Sequence, residues 1–389
     1  RALPPTWSIA VISLSFKAYS TVHCCCAPED HNTCIQAAIS AGHQILANTL
    51  TSFATETMSI NRYLESEAKE QEQVIRLLVL GAGEAGKSTV VRQIQNKYEP
   101  KELTPSAIEH NRTVLMRNTV DAMQLLLQNF DFSDVKDEEF VGAAKVVLER
   151  ESTDPITMED AEIMHRILDL DAVKELLETE HDFYVPDSAS YYFDNLMRFC
   201  DAEHFSSTEE DLLMCRVRTT GVNSINLTVP PSIWQITDVG GQRSERRKWV
   251  KFFDNVDAIL FIVNLAGYAK VCFEDQSVNR MEESMKVFSD IANNPLFGKV
   301  PLYIFFNKKD LFESTLRRVD LSTCFEEYSG DGVQDAIAFV VDKFSSLMRS
   351  GCDIAGHHVV SARFRRETIN AFVDITKDIQ ARRKDKSKK

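Results

Sequence analysis

The chain has 389 residues, 44% of them hydrophobic, and a formal net charge of −14. That length allows two domains and a substantial core, and the acidity argues against a general nucleic-acid binder, so no nucleic-acid partner is expected. Nine cysteines are scattered without CxxC pairs, which suggests neither a zinc site nor a disulfide framework. No apolar run reaches the roughly 18 residues of a membrane span.

Residues 1–58 carry no clear periodicity and read as an N-terminal extension of uncertain place. The cluster Cys24-Cys25-Cys26, with Cys34 nearby, offers acceptors for thioester lipids such as palmitate. Residues 59–73 are polar and helix-prone and predict a surface helix feeding the first strand. That strand is Val74-Ile75-Arg76-Leu77-Leu78-Val79-Leu80, apolar and β-branched.

Gly81-Ala82-Gly83-Glu84-Ala85-Gly86-Lys87-Ser88-Thr89 comes next, and Val90 to Gln95 suits a helix. GxxxxGK[ST] between strand and helix predicts a phosphate-binding loop. Gly81 and Gly86 permit backbone angles that a side chain forbids, so loop amides can turn inward around a phosphate. Lys87 would neutralise the outer phosphates, and Ser88 would set its hydroxyl on Mg²⁺.

From about Tyr98 to Leu213 strand signals almost vanish. Apolar spacing predicts a long helix over residues 111–130 and shorter ones over 138–149, 158–168, 171–178 and 190–199, punctuated by Pro155 and Pro186. An all-helical insert of this size has enough residues for its own core. Placed here, it would lie over a bound nucleotide and slow its escape.

After the insert, Arg216 and Thr219 stand three apart in an extended loop. A guanidinium suits charge on a phosphoryl group in transfer, and the threonine hydroxyl suits Mg²⁺. Alone, this is equally the pattern of a solvated basic loop. Residues 232–238 read as a strand ending in Asp238, the usual second support for Mg²⁺ in such folds. Gly240-Gly241 supplies a hinge that brings an amide to a γ-phosphate, and Gln242 can orient a water. Residues 243–253 are charged with aromatic anchors, including Trp249, and read as a partner face.

Two further buried strands, 258–263 and 301–306, flank a helix over 278–292. The second ends in Asn307-Lys308-Lys309-Asp310. An aspartate here accepts from both N1–H and the exocyclic amine of guanine, while the Lys308 stem lies on the ring face. Adenine lacks those paired donors, which favours GTP over ATP. A helix over 333–348, a strand over 358–362 and a last helix from about Glu367 complete the chain. Ser361-Ala362 falls where a backbone loop can meet the guanine O6. The basic ending, residues 381–389, suits either solvent or an acidic membrane surface.

With these motifs in hand, the chain resembles the α subunit of heterotrimeric G proteins over roughly residues 60–380, through GAGEAGKST, RVRTTGV, DVGGQRSERRKW, NRMEESMKVF and FFNKKDLF. The fold implied is α/β: a Ras-like P-loop GTPase domain with a mostly parallel sheet (74–97 and 214–389), interrupted by an inserted all-helical domain (98–213). The resemblance implies that Arg216 is an arginine finger supplied in cis and Gln242 the water-orienting residue. It makes Ser88 and Thr219 the Mg²⁺ ligands and Gly241 the γ-phosphate-sensing hinge. Glu84 would pair with Arg216 when GDP is bound. Nucleotide contacts are implied at Gly81 to Thr89, Asp187, Ser188, Leu213, Arg216, Thr219, Asp238, Gly241, Asn307, Lys308, Asp310 and Ala362.

The expected ligands are GTP or GDP with Mg²⁺. The expected partners are a βγ dimer, a G protein-coupled receptor, effectors, GTPase-activating proteins and the inner surface of the plasma membrane. The chain departs from the family at Ala85, where serine is usual, and at Met214, where many members carry arginine. It departs again at Val360-Ser361-Ala362-Arg363, which replaces Thr-Cys-Ala-Thr, and in its basic C-terminus. Ala85 suggests altered nucleotide or metal affinity. It is also the one feature favouring a nucleotide-bound scaffold with little GTPase activity, the competing expectation.

Overall fold

The computed structural model describes residues 74–386, apart from 101, 134, 152, 180–182 and 350–353, and six isolated positions before residue 74. Apart from those six positions, the expected extension over 1–58 with its Cys24–Cys26 cluster and the helix over 59–73 lie outside the described residues, as do the last three residues of the basic tail.

The chain runs β1 (Val74–Leu80), α1 (Lys87–Tyr98), α2 (Pro105–Gln128), α3 (Glu138–Glu149), α4 (Met158–Asp169), α5 (Asp171–Glu178), α6 (Ala189–Asp194), α7 (Leu196–Cys200) and α8 (Glu209–Met214). Then follow β2 (Val222–Val229), β3 (Ser232–Val239), β4 (Ala258–Asn264), α9 (Arg280–Ala292), β5 (Leu302–Asn307), α10 (Lys309–Leu316), α11 (Val333–Ser346), β6 (Gly356–Val359) and α12 (Arg365–Lys386). The six strands form one sheet in the order β2-β3-β1-β4-β5-β6, with only β2 antiparallel to its neighbour. Every residue of β4 and β5 is buried, as expected of central parallel strands covered on both faces.

Two apolar clusters flank the sheet. One gathers Phe261, Phe288, Phe306, Phe312 and Phe344. The other sets Leu77, Leu260 and Phe305 against Val90 and Ile94 of α1 and Phe372 of α12. A third cluster is built from residues 114–215 alone, around Leu115, Val120, Met123, Leu126 and Tyr192.

Several elements depart from the expectations. β2 was not anticipated; Val222-Asn-Ser-Ile-Asn-Leu-Thr-Val alternates weakly, because only part of one face of this edge strand is covered. The helix expected over 111–130 begins earlier, where the Thr104 side chain caps the Ala107 amide and Pro105 takes the first turn. The helix expected over 190–199 is two, divided at Asn195.

Candidate functional site

Because five strands run parallel, their carboxyl ends share one edge of the sheet, where ligands bind in open α/β folds. That edge receives the loop after β1, Asp238 from β3, Asn264 from β4, Asn307 from β5 and Ser361 after β6. Over it lies a cavity of about 260 Å³. The phosphate-loop residues Gly83, Glu84, Gly86, Lys87, Ser88 and Thr89 line one end, and Asn307, Lys308, Asp310, Ser361 and Ala362 line the other. Asp187, Ser188 and Leu213 close it from the helical side, and Arg216, Thr219, Gly241 and Gln242 complete the wall.

Gly86 takes φ +92° at the head of α1, and a Cβ there would lie 2.3 Å from the Asn307 amide nitrogen. Lys87 Nζ donates to the carbonyls of Gly81 and Ala82, at 3.0 and 2.8 Å. Burial pulls its pKa down to about 8, against the opposing pull of Asp238, while Arg246 and Lys308 push it the same way as burial. An ammonium held this way gains from an anion placed against it. Gly241 sits directly over it: a Cβ there would fall 2.2 Å from Lys87 Nζ and 2.5 Å from the Ala82 carbonyl oxygen.

Ser88 Oγ lies 2.8 Å from Thr219 Oγ1 and donates to Asp238 Oδ2 at 2.5 Å. The other Asp238 oxygen is buried without a hydrogen-bond partner. Burial raises the Asp238 pKa despite Lys87 and Ser88. Two hydroxyls and an orphaned carboxylate oxygen form a hard-oxygen set that fits Mg²⁺. No cluster of three His, Cys, Asp or Glu residues able to hold a metal occurs among the described residues.

At the base end, Asn307 is buried and joins two loops. Its Nδ2 donates to the Ala85 carbonyl at 2.9 Å, and its Oδ1 accepts from the Ala362 amide at 2.9 Å. Lys308 adopts φ 63° and reaches back to the Glu84 carbonyl at 2.8 Å and to Asp187 at 2.6 Å. Asp310 accepts from Ser361 Oγ at 2.5 Å.

Arg216 and Gln242 line the cavity, but each is held by a carboxylate. Arg216 Nη2 donates to Glu84 at 2.5 Å and to the Tyr184 hydroxyl at 2.8 Å. The Gln242 amide faces Glu274, with its nitrogen, as its neighbours orient it, donating to Oε2 at 3.2 Å.

Gly81, Ala82, Ala85 and Asp238 stand behind the wall rather than in it. The Ala85 methyl is buried in the same apolar cluster as Val90. Within the expected partner face over 243–253, Trp249 is not an exposed anchor. It is 3% exposed, donates to the Gly240 carbonyl at 2.9 Å and anchors the segment inward, leaving Arg247, Val250 and Lys251 outside.

Residues that the sequence did not single out include Tyr184, Lys270 and Arg280. Arg280, which lies within the NRMEESMKVF motif, meets Asp187 at 3.0 Å and Glu84 at 3.1 Å. Asp187 thereby faces Lys308, Arg280 and Lys270. Burial alone would raise its pKa, but these three cations outweigh burial and hold it well below the usual carboxylate value.

The sequence model of the G-protein alpha subunit family matches residues 54–379. The chain belongs to this family. It is 36% identical to the guanine nucleotide-binding protein alpha-8 subunit of Dictyostelium discoideum over 79% of this chain and 77% of the relative. It is 35% identical to the guanine nucleotide-binding protein alpha-17 subunit of Caenorhabditis elegans, over 74% and 83%. It is also 35% identical to the G(o) subunit alpha of Planorbella trivolvis, over 75% and 84%. As a G-protein α subunit, the chain binds GTP and GDP, is a GTPase and acts in G-protein signalling. Among the described residues, no helix is long and apolar enough to cross a membrane.

Proposed function

We propose that the cavity holds guanine nucleotide with its phosphates on residues 81–89 and its base against Asn307, Lys308, Asp310 and Ala362. Asp187, Ser188 and Leu213 cover it from the helical side. The observation that carries this reading is the meeting of two unrelated chemistries in the wall of one cavity, the buried lysine of the phosphate loop and an aspartate in the first turn of α10. Ser88 and Thr219 would hold Mg²⁺, with the free Asp238 oxygen behind them. Bound there, Mg²⁺ supplies positive charge to the phosphate oxygens.

The protein's own groups do the rest. Lys87 neutralises phosphate charge. Arg216 turns from Glu84 to the phosphoryl group in transfer, and Gln242 turns from Glu274 to orient water. Gly241 offers its amide where no side chain fits. Gain and loss of the γ-phosphate then reorder the Thr219 and Gly241 loops, which is the output of the switch.

The partners in this reading are a βγ dimer on the Arg243–Phe253 segment and the N-terminal helix, a G protein-coupled receptor at the C-terminus, effectors and GTPase-activating proteins. Its place is the cytoplasmic face of the plasma membrane, held by lipid on Cys24–Cys26. The test is single-turnover hydrolysis of GTP beside ATP, with Mg²⁺ and with chelator. Slow Mg²⁺-dependent GTP hydrolysis, no ATP turnover and loss on Gln242→Leu or Arg216→Ala are expected. Tight GTP binding without hydrolysis would favour the scaffold.

A further inference from the structure

Tyr184 belongs to the helical segment, and its hydroxyl reaches across to the phosphate loop. The O–H donates to Glu84 Oε1, and its oxygen accepts from Arg216 Nη2 at 2.8 Å. Burial raises the phenol pKa, with the Glu84 carboxylate acting in the same direction, so the proton that bridges to Glu84 stays in place. The ring is 1% exposed. The edge of Phe273 meets it at 4.9 Å between centroids, and the Arg280 guanidinium lies 5.2 Å from its centre. Phe273 in turn carries the Arg218 guanidinium at 3.9 Å, two residues beyond Arg216.

The Arg216 side chain is therefore held through both of its observed hydrogen bonds, and its flanking loop is held by the same aromatic pair. The backbone of Arg216 is fixed as well. Its amide donates to Asn118 Oδ1 at 2.9 Å, and its carbonyl accepts from Asn118 Nδ2 at 3.1 Å. The side chain is thus the part free to move. While it neutralises Glu84, its charge is spent on a carboxylate and is unavailable to a phosphoryl group.

We propose that Tyr184 is a positioning residue that latches Arg216 onto Glu84 in a resting arrangement, so that hydrolysis first requires this hydroxyl bridge to open. The proposal rests on the reading of Arg216 as the group that stabilises the transferred phosphoryl. It adds a brake set by a residue of the helical segment, and the neighbouring Glu274 holds Gln242 in the same way.

Tyr184→Phe removes the hydroxyl and keeps the ring with its edge-to-face contact to Phe273. The full chain, loaded with GTP, is assayed for single-turnover hydrolysis as wild type, Tyr184→Phe, Arg216→Ala and the double variant. Retained binding of a fluorescent GDP analogue reports folding. The latch predicts that Tyr184→Phe hydrolyses faster, by about tenfold, the weight of one hydrogen bond to a charged partner. The gain should vanish in the double variant. A purely structural role for Tyr184 predicts the opposite sign, since a loosened cavity positions reactants less well. Hydrolysis by Tyr184→Phe at or below the wild-type rate, with Arg216→Ala inactive, overturns the latch alone. Wild-type hydrolysis by Arg216→Ala overturns the role of Arg216 and the latch with it.

Discussion

The sheet and the helical segment are each closed by apolar packing, yet they meet through charge. Phe261, Ile262 and Phe305 of the sheet are fully buried, as are Leu115, Met123 and Leu126 of the helices. Between them stand Asp187 with Lys308 at 2.6 Å and Arg280 at 3.0 Å, and the Tyr184 hydroxyl on Glu84. Apolar surface pulled into water costs about 25 cal/mol per Å² with nothing in return. Ion pairs and hydroxyls recover hydration when they part. A cavity walled by two apolar cores and sealed by polar contacts can thus open along the seal without unfolding either side.

The largest test of that contrast is Asp187→Asn. It removes the carboxylate that faces Lys308, Arg280 and Lys270, of which the last two are as buried as Asp187 itself. Breaking one side of such a buried pair costs about 3–5 kcal/mol. Denaturant melts should lose that stability, and nucleotide release should quicken. The pH dependence carries the same sign. The folded-state pKa of Asp187 is depressed, so its contribution is fully present above the unfolded value of about 3.9 and is lost as pH falls through the lower folded value. Stability measured from neutral pH into that acid range should fall more steeply in wild type than in Asp187→Asn. Equal slopes would mean that the seal is not ionic.

Next in size is Leu126→Ala, in the last turn of α2 and fully buried among the helices. Truncation there should cost about 2–5 kcal/mol. If the helical core is separate, as its contacts with residues 114–215 alone suggest, calorimetry should resolve an early transition for the helices and leave the sheet's melting temperature in place. One shared transition, displaced as a whole, would show that the two cores unfold as one.

Legibility in the sequence follows the same division. The buried strands and the phosphate loop are local signals, and Val74–Leu80 with the glycines after it is sufficient to place the phosphate end. Asp310 and Ser361 were legible as strand-end residues for the same reason. The seal was not legible in full. Arg280 meets Asp187 across 93 positions and Tyr184 meets Glu84 across 100, so no window of sequence contains either pair. Trp249 was misjudged because an aromatic among Arg and Lys looks exposed until the Gly240 carbonyl is found waiting for its N–H.

The smallest expected effect is at the base end. Arg363 pairs with Glu210, and Arg365 pairs with Glu209 at 3.0 Å, again joining the sheet side to the helical side. These side chains are 37–75% exposed, unlike Asp187 at 7%. Exposed pairs contribute about 0.2–1 kcal/mol and are screened by salt over a Debye length of about 10 Å at 0.1 M and about 3 Å at 1 M. Arg363→Ala should therefore quicken GDP release by no more than about fivefold in dilute buffer, and the difference from wild type should vanish near about 1 M salt. The Asp187→Asn effect should survive that salt, because its partners are buried. If both respond alike to salt, the two ends of the seal share one solvent-exposed character, and the distinction between a buried latch and a surface clasp fails.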